Sequence, residues 1–359
     1  SLRALKVSSF RAKMLLICYI FIQNGLELII ILIGKVLSKY KAAIVGLGQV
    51  GQGYDYENLD NSIILTHASA LKYHNEFDLI SAVDSNLSQC ERFEKKFSKP
   101  AFLSIKEMYL KVRPEIISIS VSTNFHFEVF EEIISYKPKA IILEKPVAHS
   151  EKEAAKMLKM AKDANCKVSV NYIRRFNPAI VELKKIIDHG DFGEIYKGVI
   201  WYTKGLINNG SHFIDLLIWF FGDITSIRVI KTGRKWDNKD PEPDLCVCFG
   251  GTEIYMLAGR EENYYMGSLN LISSDGVITY EDGHDILVQF SQDDPLYPDY
   301  KGLSKAVNIK NPSEKNIWYL YENLARHLKD GALISSNLDS ATATLYSVMQ
   351  IINKLKGKK

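Results

Sequence analysis

The chain has 359 residues, 47% hydrophobic and 24% charged, with a formal net charge of +3. That balance is ordinary for a globular protein and gives no reason to expect a nucleic-acid partner. The length calls for two domains rather than one core, and five scattered cysteines read as reduced core thiols, with neither a disulfide framework nor a zinc or other metal site expected.

Residues 1–38 stand apart from the rest. Met14 to Gly34 reads MLLICYIFIQNGLELIIILIG, long enough for a membrane helix, with Arg11 and Lys13 before it and Lys35 and Lys39 after it. Gln23, Asn24, Gly25 and Glu27 interrupt its middle, where a charge is costly in a bilayer. Three readings are open: an anchor, an amphipathic surface helix, or an upstream extension absent from the working protein. The third is preferred, because a nucleotide-binding domain begins at its first strand, here near Tyr40.

Lys41 to Gly51 then reads KAAIVGLGQVG. An apolar strand ends at a tight turn and hands over to a helix N-terminus. Gly46 permits the turn, Gly48 lets a pyrophosphate approach the backbone, and Gly51 lets helix and strand pack closely. Leu47, Gln49 and Val50 complete the loop that would present backbone N–H groups to an anion. Gln52 to Asn61 is polar and rich in turn formers, so it reads as a loop insertion. Ser62 to His74 is a helix or irregular segment, with His67 as a structural residue. The strand Phe77–Val83 ends at Asp84, whose carboxylate suits the ribose hydroxyls and would repel a 2′-phosphate, favouring NAD over NADP. A helix N-cap role for Asp84 stays open beside this one.

Helices are expected over Leu87–Phe97, Ile105–Lys111 and Phe127–Tyr136, and over Ser150–Ala164 with Ser150 and Glu153 as a capping box. Strands are expected over Glu115–Val121, Ala140–Leu143 and Lys167–Asn171. Ser122, Thr123, Asn124 and His126 follow a strand's carboxyl end, where a nucleotide crevice lies. This alternation is that of a doubly wound parallel sheet. After Asn171 the rhythm changes. Helices at Pro178–His189 and Ser211–Phe221 flank a strand at Ile195–Tyr202. Six strand candidates follow between Ile224 and Phe290, then helices at Ser313–Lys329 and Asp339–Lys354. Consecutive strands imply an α+β domain with a large, mostly antiparallel open sheet. The expected boundaries are an extension at 1–38, a dinucleotide-binding domain at 39–172 and a second domain at 173–359.

These glycines, then Glu144-Lys145-Pro146, Asn171-Tyr172-Ile173-Arg174-Arg175-Phe176-Asn177-Pro178 and Gly210-Ser211-His212-Phe213-Ile214-Asp215, resemble the Gfo/Idh/MocA family, in this order and spacing. The resemblance runs from Lys41 to the C-terminus. It implies a Rossmann half and an NAD-dependent dehydrogenase or reductase acting on a sugar, a cyclitol or a nucleotide sugar. The Tyr54-Asp55 insertion and the Asn208–His212 variant resemble members linked to bacterial surface-glycan synthesis. It further implies a homo-oligomer, a dimer or tetramer, joined through the open sheet. A cofactor-binding body is expected in the cytoplasm.

Lys145 follows a strand's carboxyl end, where partial desolvation would bring its ammonium toward neutrality and let it take a hydroxyl proton. In the resembling family this lysine contacts both cofactor and substrate. Glu144 would orient neighbours or bind cofactor, and Asn171 belongs to the same cofactor set. His212 opens an apolar helix as a second acid/base candidate. The family often has Asp four residues before this histidine; here Asn208 stands there, able to orient the imidazole but not to balance an imidazolium, which leaves more of the role to Lys145. Arg174 and Arg175 would bind cofactor phosphate or a substrate anion, Arg175 being assigned to cofactor and Arg174 to substrate. Lys204 and Asn209 are further substrate candidates, and Asp215 is read as structural. Two rival readings remain: a retained-NAD enzyme achieving net hydrolysis or epimerisation through transient oxidation, and a non-catalytic NAD-dependent sensor.

Overall fold

The computed structural model describes residues 39–58 and 60–357. The hydrophobic stretch at 14–34 lies outside the described residues. Among those described, no helix is long and apolar enough to cross a membrane.

Six strands form the first sheet: β1 (Tyr40–Val45), β2 (Phe77–Val83), β3 (Ala101–Phe102), β4 (Ile116–Ile119), β5 (Ala140–Leu143) and β6 (Lys167–Val170). They are parallel, in the order β3-β2-β1-β4-β5-β6. β4 and β5 are buried at every position, as strands covered on both faces must be. The covering helices are α1 (His67–Tyr73), α2 (Leu87–Phe97), α3 (Ile105–Lys111), α4 (His126–Ser135) and α5 (Glu151–Asp163). Local chemistry sets their starts: Asn86 and Ser104 cap α2 and α3, and Ser150 with Glu153 forms the capping box of α5. Strand order reverses between β1 and β4, which opens a crevice beyond their carboxyl ends.

One expectation needs correction. The glycine turn does not enter a long helix; Gln49–Gly53 makes a single wide helical turn, and the first regular helix waits until His67. Asp55 explains the detour. Its buried carboxylate accepts from the N–H groups of Leu65 and Thr66 and from the Thr66 hydroxyl, at 2.8, 3.1 and 2.6 Å. The insertion is thereby folded back, and Thr66, bonded to Ser69, caps α1.

The second sheet follows α6 (Pro178–His189). Its strands are β7 (Ile195–Tyr202), β8 (Ile224–Trp236), β9 (Asp240–Phe249), β10 (Thr252–Ala258), β11 (Gly267–Ser273), β12 (Gly276–Glu281), β13 (Ile286–Asp293), β14 (Lys301–Leu303) and β15 (Val307–Ile309). The order is β14-β13-β12-β11-β7-β10-β9-β8, with β15 on β13; β7 and β10 run parallel and the other pairs antiparallel. β10, β11 and β12 alternate buried and half-buried residues, so one face of the sheet is covered and the other open. α7 (Ser211–Phe221) and α9 (Leu338–Lys356) lie on the covered face, while α8 (Asn316–Asp330) contributes Tyr321 to the neighbourhood of β4. α9 serves both cores. Leu338, Ala341 and Leu345 pack with the parallel sheet, Val348 and Ile351 with the second.

β9 begins earlier than its apolar run suggests. Pro241 and Pro243 read as strand breakers, yet the β8–β9 ladder absorbs them where its register shifts around Lys231. β3, β14 and β15 are too short for a period-two pattern.

Candidate active site

The glycine turn is held by its own backbone. Gly46 sits at φ +98°, donates to the Val83 carbonyl at 2.8 Å, and a Cβ there would lie 2.6 Å from the Ser120 backbone. A Cβ at Gly51 would lie 2.2 Å from the Gly46 carbonyl. Gly48 differs from both. Its φ of −69° suits any residue, and a Cβ would meet nothing within 4 Å. Gly48 and Gln49 are exposed, Val50 is half-buried, and the Leu47 side chain is buried. The Leu47 N–H donates to Asp84 Oδ2 at 2.7 Å, and Asp84 Oδ1 accepts from the Asn86 N–H at 2.8 Å. Asn86, not Asp84, caps the helix. A bare shelf at Gly48 beside a half-buried carboxylate suits a dinucleotide with free ribose hydroxyls.

Ser122 and Asn124 are exposed and Thr123 half-buried, at the carboxyl end of β4. His126, expected on the cofactor, is turned inward. Its ring nitrogens lie 2.9 Å from the Pro146 carbonyl and 3.1 Å from that of Val121, so it ties the loops after β4 and β5 together. Burial holds its pKa below the usual histidine value.

Glu144 is the centre of a buried network. Its Oε1 accepts from His67 Nε2 at 3.0 Å and from Asn171 Nδ2 at 2.5 Å, and Oε2 from the Lys145 N–H at 3.3 Å. Burial pushes this carboxyl up, but the bonds from His67 and Asn171 outweigh it and hold its pKa below the ordinary glutamate value. His67 Nδ1 lies 3.0 Å from the Tyr321 hydroxyl, which lies 2.5 Å from Ser118 Oγ. An ionised Glu144 only accepts, so His67 donates to it from Nε2. His67, expected as a structural residue, has the Glu144 carboxylate as its partner. Asn171 Oδ1 is buried without a partner among the described residues.

Lys145 reaches from the end of β5 to the helical turn at Gly205–Gly210, which runs directly into α7. Its Nζ donates to Asn208 Oδ1 at 2.7 Å and to the Asn208 carbonyl at 3.1 Å. Burial lowers its pKa to about 8, opposed by Glu144 and Asp240 and aided by Arg174. Asp240 opens β9 and holds the turn: Oδ1 accepts from Ile207 N–H at 2.9 Å, Oδ2 from Asn208 N–H at 2.8 Å. Glu242 Oε1 accepts from the Gly205 N–H at 3.2 Å. Two carboxylates thus satisfy the free amides at the start of a helical segment, where negative charge is favoured. The sequence reading missed Asp240; its signal lay only in an acidic pair at the mouth of a strand.

Asn208 therefore serves Lys145 rather than His212. His212 packs edge-on against Tyr172 at 5.6 Å, and its Nδ1 is buried without a partner among the described residues. Burial, with the charges of Lys145 and Arg174, holds its pKa well below the usual histidine value, so its ring is neutral.

His212 also lines a cavity of about 280 Å³ together with Arg174, Asn209, Tyr265, Tyr280 and Asp282. Arg174 Nε donates to Asp282 Oδ1 at 2.9 Å, its Nη2 contacts Oδ2, and Nη2 lies 3.3 Å from Asn209 Oδ1. Tyr280 and Tyr265 hydroxyls bond the same carboxylate. Asp282 and Tyr280 had no sequence signal beyond the hairpin turn Glu281-Asp282-Gly283. Lys204 pairs with Glu261 and lies over the Tyr265 ring, placing it near this cavity.

Arg175 is removed from the cofactor set. Nε donates to Asp215 Oδ2 at 2.6 Å and Nη2 to the Asp215 carbonyl at 2.9 Å, while Thr344 bonds Oδ1. Its guanidinium lies 5.5 Å from the Trp219 ring centre. Adjacent arginines on a tight helical turn diverge, one to the cavity and one to the core.

Residues 40–172 match the oxidoreductase family with an NAD-binding Rossmann fold, Gfo/Idh/MocA. The D-glucoside 3-dehydrogenase of Escherichia coli K12 is 26% identical over 161 residues, which is 44% of this chain and 42% of that protein. The chain thus spans less than half the length of this relative. An oxidoreductase from Agrobacterium radiobacter, solved with NAD+, L-tartaric acid and magnesium, superposes with a TM-score of 0.70 at 15% identity, covering 87% of this chain and 95% of that one. The WlbA dehydrogenase from Bordetella pertussis, solved with NADH and UDP-GlcNAcA, gives 0.70 at 15% identity, covering 89% and 96%. At that identity the two structures speak to the fold.

Proposed function

Because residues 40–172 match the Gfo/Idh/MocA oxidoreductase family, we propose that the chain is an NAD-dependent dehydrogenase or reductase of that family, acting on a ring hydroxyl or keto carbon of a sugar, cyclitol or nucleotide sugar. The observation that carries this reading is Lys145: a buried amine with a pKa near 8, beside a neutral His212 that lines a polar cavity. Gly48, Gln49 and Val50 would hold the pyrophosphate, and Asp84 the adenosine ribose. Bound NAD would supply the hydride acceptor.

Lys145 does the proton chemistry. Unprotonated, its Nζ takes the proton of the reacting hydroxyl; protonated, it polarises a keto oxygen in the reverse direction. Asn208 fixes where Nζ sits, because two oxygens of one residue aim it. His212 stays neutral and orients the hydroxyl by a hydrogen bond. Asn209 and the Tyr265 hydroxyl offer further contacts within the cavity. A second ring nitrogen without a charge partner makes His212 a poor proton store, so the lysine carries that role.

The test is NADH formation on a panel of sugars, cyclitols and nucleotide sugars, with wild type and Lys145→Ala in parallel. Turnover that is lost in the variant supports the reading. A Lys145→Ala protein with full turnover overturns it, and NAD binding without oxidation of any panel member favours the sensor instead.

A further inference from the structure

The cavity that His212 lines carries both charges of an ion pair and no surplus. Among its described lining residues, Arg174 and Asp282 are the charged side chains; the others are amides, hydroxyls, His212, Ile173 and Gly283. The Arg174 guanidinium lies in the cavity wall, buried, where a sugar carboxylate or phosphate would find its natural partner. Asp282 already occupies that fork, engaging both Nε and Nη2. Two tyrosine hydroxyls, from Tyr265 and Tyr280, hold the carboxylate in place. Arg174 also lies 4.6 Å from the Phe213 ring centre, which fixes the guanidinium plane. The neighbouring cations are spoken for as well: Lys145 is bonded to Asn208, and Lys204 is paired with Glu261.

We propose that Asp282 is a specificity-determining residue that occupies the Arg174 fork and so restricts the pocket to uncharged polyhydroxy rings, excluding ring carboxylates and ring phosphates. The proposal rests on the dehydrogenase reading and refines its substrate class. An acidic ring entering this cavity would face the Asp282 carboxylate at the point where a cation would have been useful. An uncharged ring meets hydroxyls and amides: the Tyr265 and Tyr280 hydroxyls and the side chains of Asn209, Asn311 and Asn316. The volume, about 280 Å³, lies just below the usual range for small-molecule sites and suits one ring rather than an extended chain. A nucleotide sugar fits this scheme when its diphosphate lies outside the cavity and only the sugar enters.

Matched pairs read the charge rule directly: methyl glucoside against methyl glucuronide, and UDP-glucose against UDP-glucuronate. Wild type is expected to prefer the neutral member of a pair by at least about tenfold in kcat/KM, a difference that one unpaired polar contact supplies. In Asp282→Asn the fork is freed, and the preference is expected to collapse toward equality or reverse through a fall in KM for the acidic member. Arg174→Gln with Asp282→Asn removes both charges and is expected to show no such gain. If the single variant does not fold, competitive inhibition of wild type by the neutral and acidic ring of one pair gives the same ratio without mutation. Equal turnover of both members by wild type, or an equal gain in the single and double variants, overturns the proposal and leaves the dehydrogenase reading standing. Turnover of no pair member and of no sugar, cyclitol or nucleotide sugar in the wider panel overturns that reading and this refinement with it.

Discussion

Asn208 receives the Lys145 ammonium on two oxygens at once, its side-chain Oδ1 at 2.7 Å and its own carbonyl at 3.1 Å. Both acceptors are neutral. The lysine is thus positioned as firmly as a carboxylate would position it, without the charge that would keep it protonated. Burial then brings its pKa to about 8.

The rate of hydroxyl oxidation should therefore rise with pH through a limb near 8 and level off above it, as the free amine accumulates. Lys145→Ala should remove the limb and lower kcat/KM by ~10²–10⁴, the usual contribution of a positioned acid or base. The sign for stability is the same. The unfolded chain keeps this proton up to the ordinary lysine range, so the lysine's contribution is present above that range and is lost as pH falls toward 8. Urea unfolding of wild type against Lys145→Met across that interval would show it; parallel curves would contradict the assignment.

Asp240 sits one step behind, bonded to the Ile207 and Asn208 amides. Its charge raises the Lys145 pKa, acting with Glu144 and against Arg174. Asp240→Asn should shift the alkaline limb downward. It should also cost ~1–3 kcal/mol of stability, because an amide N–H cannot accept from a backbone N–H. A variant destabilised with its limb unmoved would reduce Asp240 to a structural clasp.

The buried chain Ser118–Tyr321–His67–Glu144 ends on a carboxylate that accepts from His67. His67→Ala should leave Tyr321 and Glu144 short of partners, at ~1–3 kcal/mol, and lower kcat as the Glu144-Lys145 segment loosens. His67→Gln keeps a donor near the Nε2 position and should recover much of the rate. Rates and urea midpoints for the two variants decide this; wild-type kcat in His67→Ala would separate the chain from catalysis.

What could be read from the sequence follows from how local the cause is. β2, β5, α2, α3, α6 and α7 were given residue by residue, because apolar period and capping residues act within a few positions. Lys145 and His212 stand out as candidates because each opens or follows such an element. Arg175 was misassigned for the opposite reason: its partner Asp215 lies on another helix, and a sequence cannot show which way two adjacent arginines turn. Asp240, Asp282 and the His67–Glu144 contact were missed on the same ground, each depending on a residue at least 32 positions away.

The Arg175–Asp215 pair is itself testable. Both side chains are buried, and burial raises the Asp215 pKa against the pull of Arg175. Arg175→Met should strand the carboxylate and cost ~3–5 kcal/mol in denaturant unfolding. The folded fraction should bind NAD with unchanged affinity. A weaker NAD affinity at unchanged stability would return Arg175 to the cofactor site.

Gly48 offers the cleanest separation of fold from ligand. Gly46 and Gly51 are required by backbone contacts, and a Cβ at Gly51 would lie 2.2 Å from the Gly46 carbonyl. Gly51→Ala should lower stability by ~1–3 kcal/mol through this overpacking. Gly48 has an ordinary φ of −69° and open space around its missing Cβ. Nothing among the described residues asks for glycine there. Gly48→Ala should keep stability within ~0.5 kcal/mol, as surface substitutions do. If the shelf holds a pyrophosphate, the added methyl should weaken NAD binding by about tenfold or more, equal to ~1.4 kcal/mol. Titration of NAD against the wild type and both variants, beside their unfolding curves, makes the comparison. A Gly48→Ala protein with wild-type affinity would mean that the cofactor lies elsewhere in the crevice.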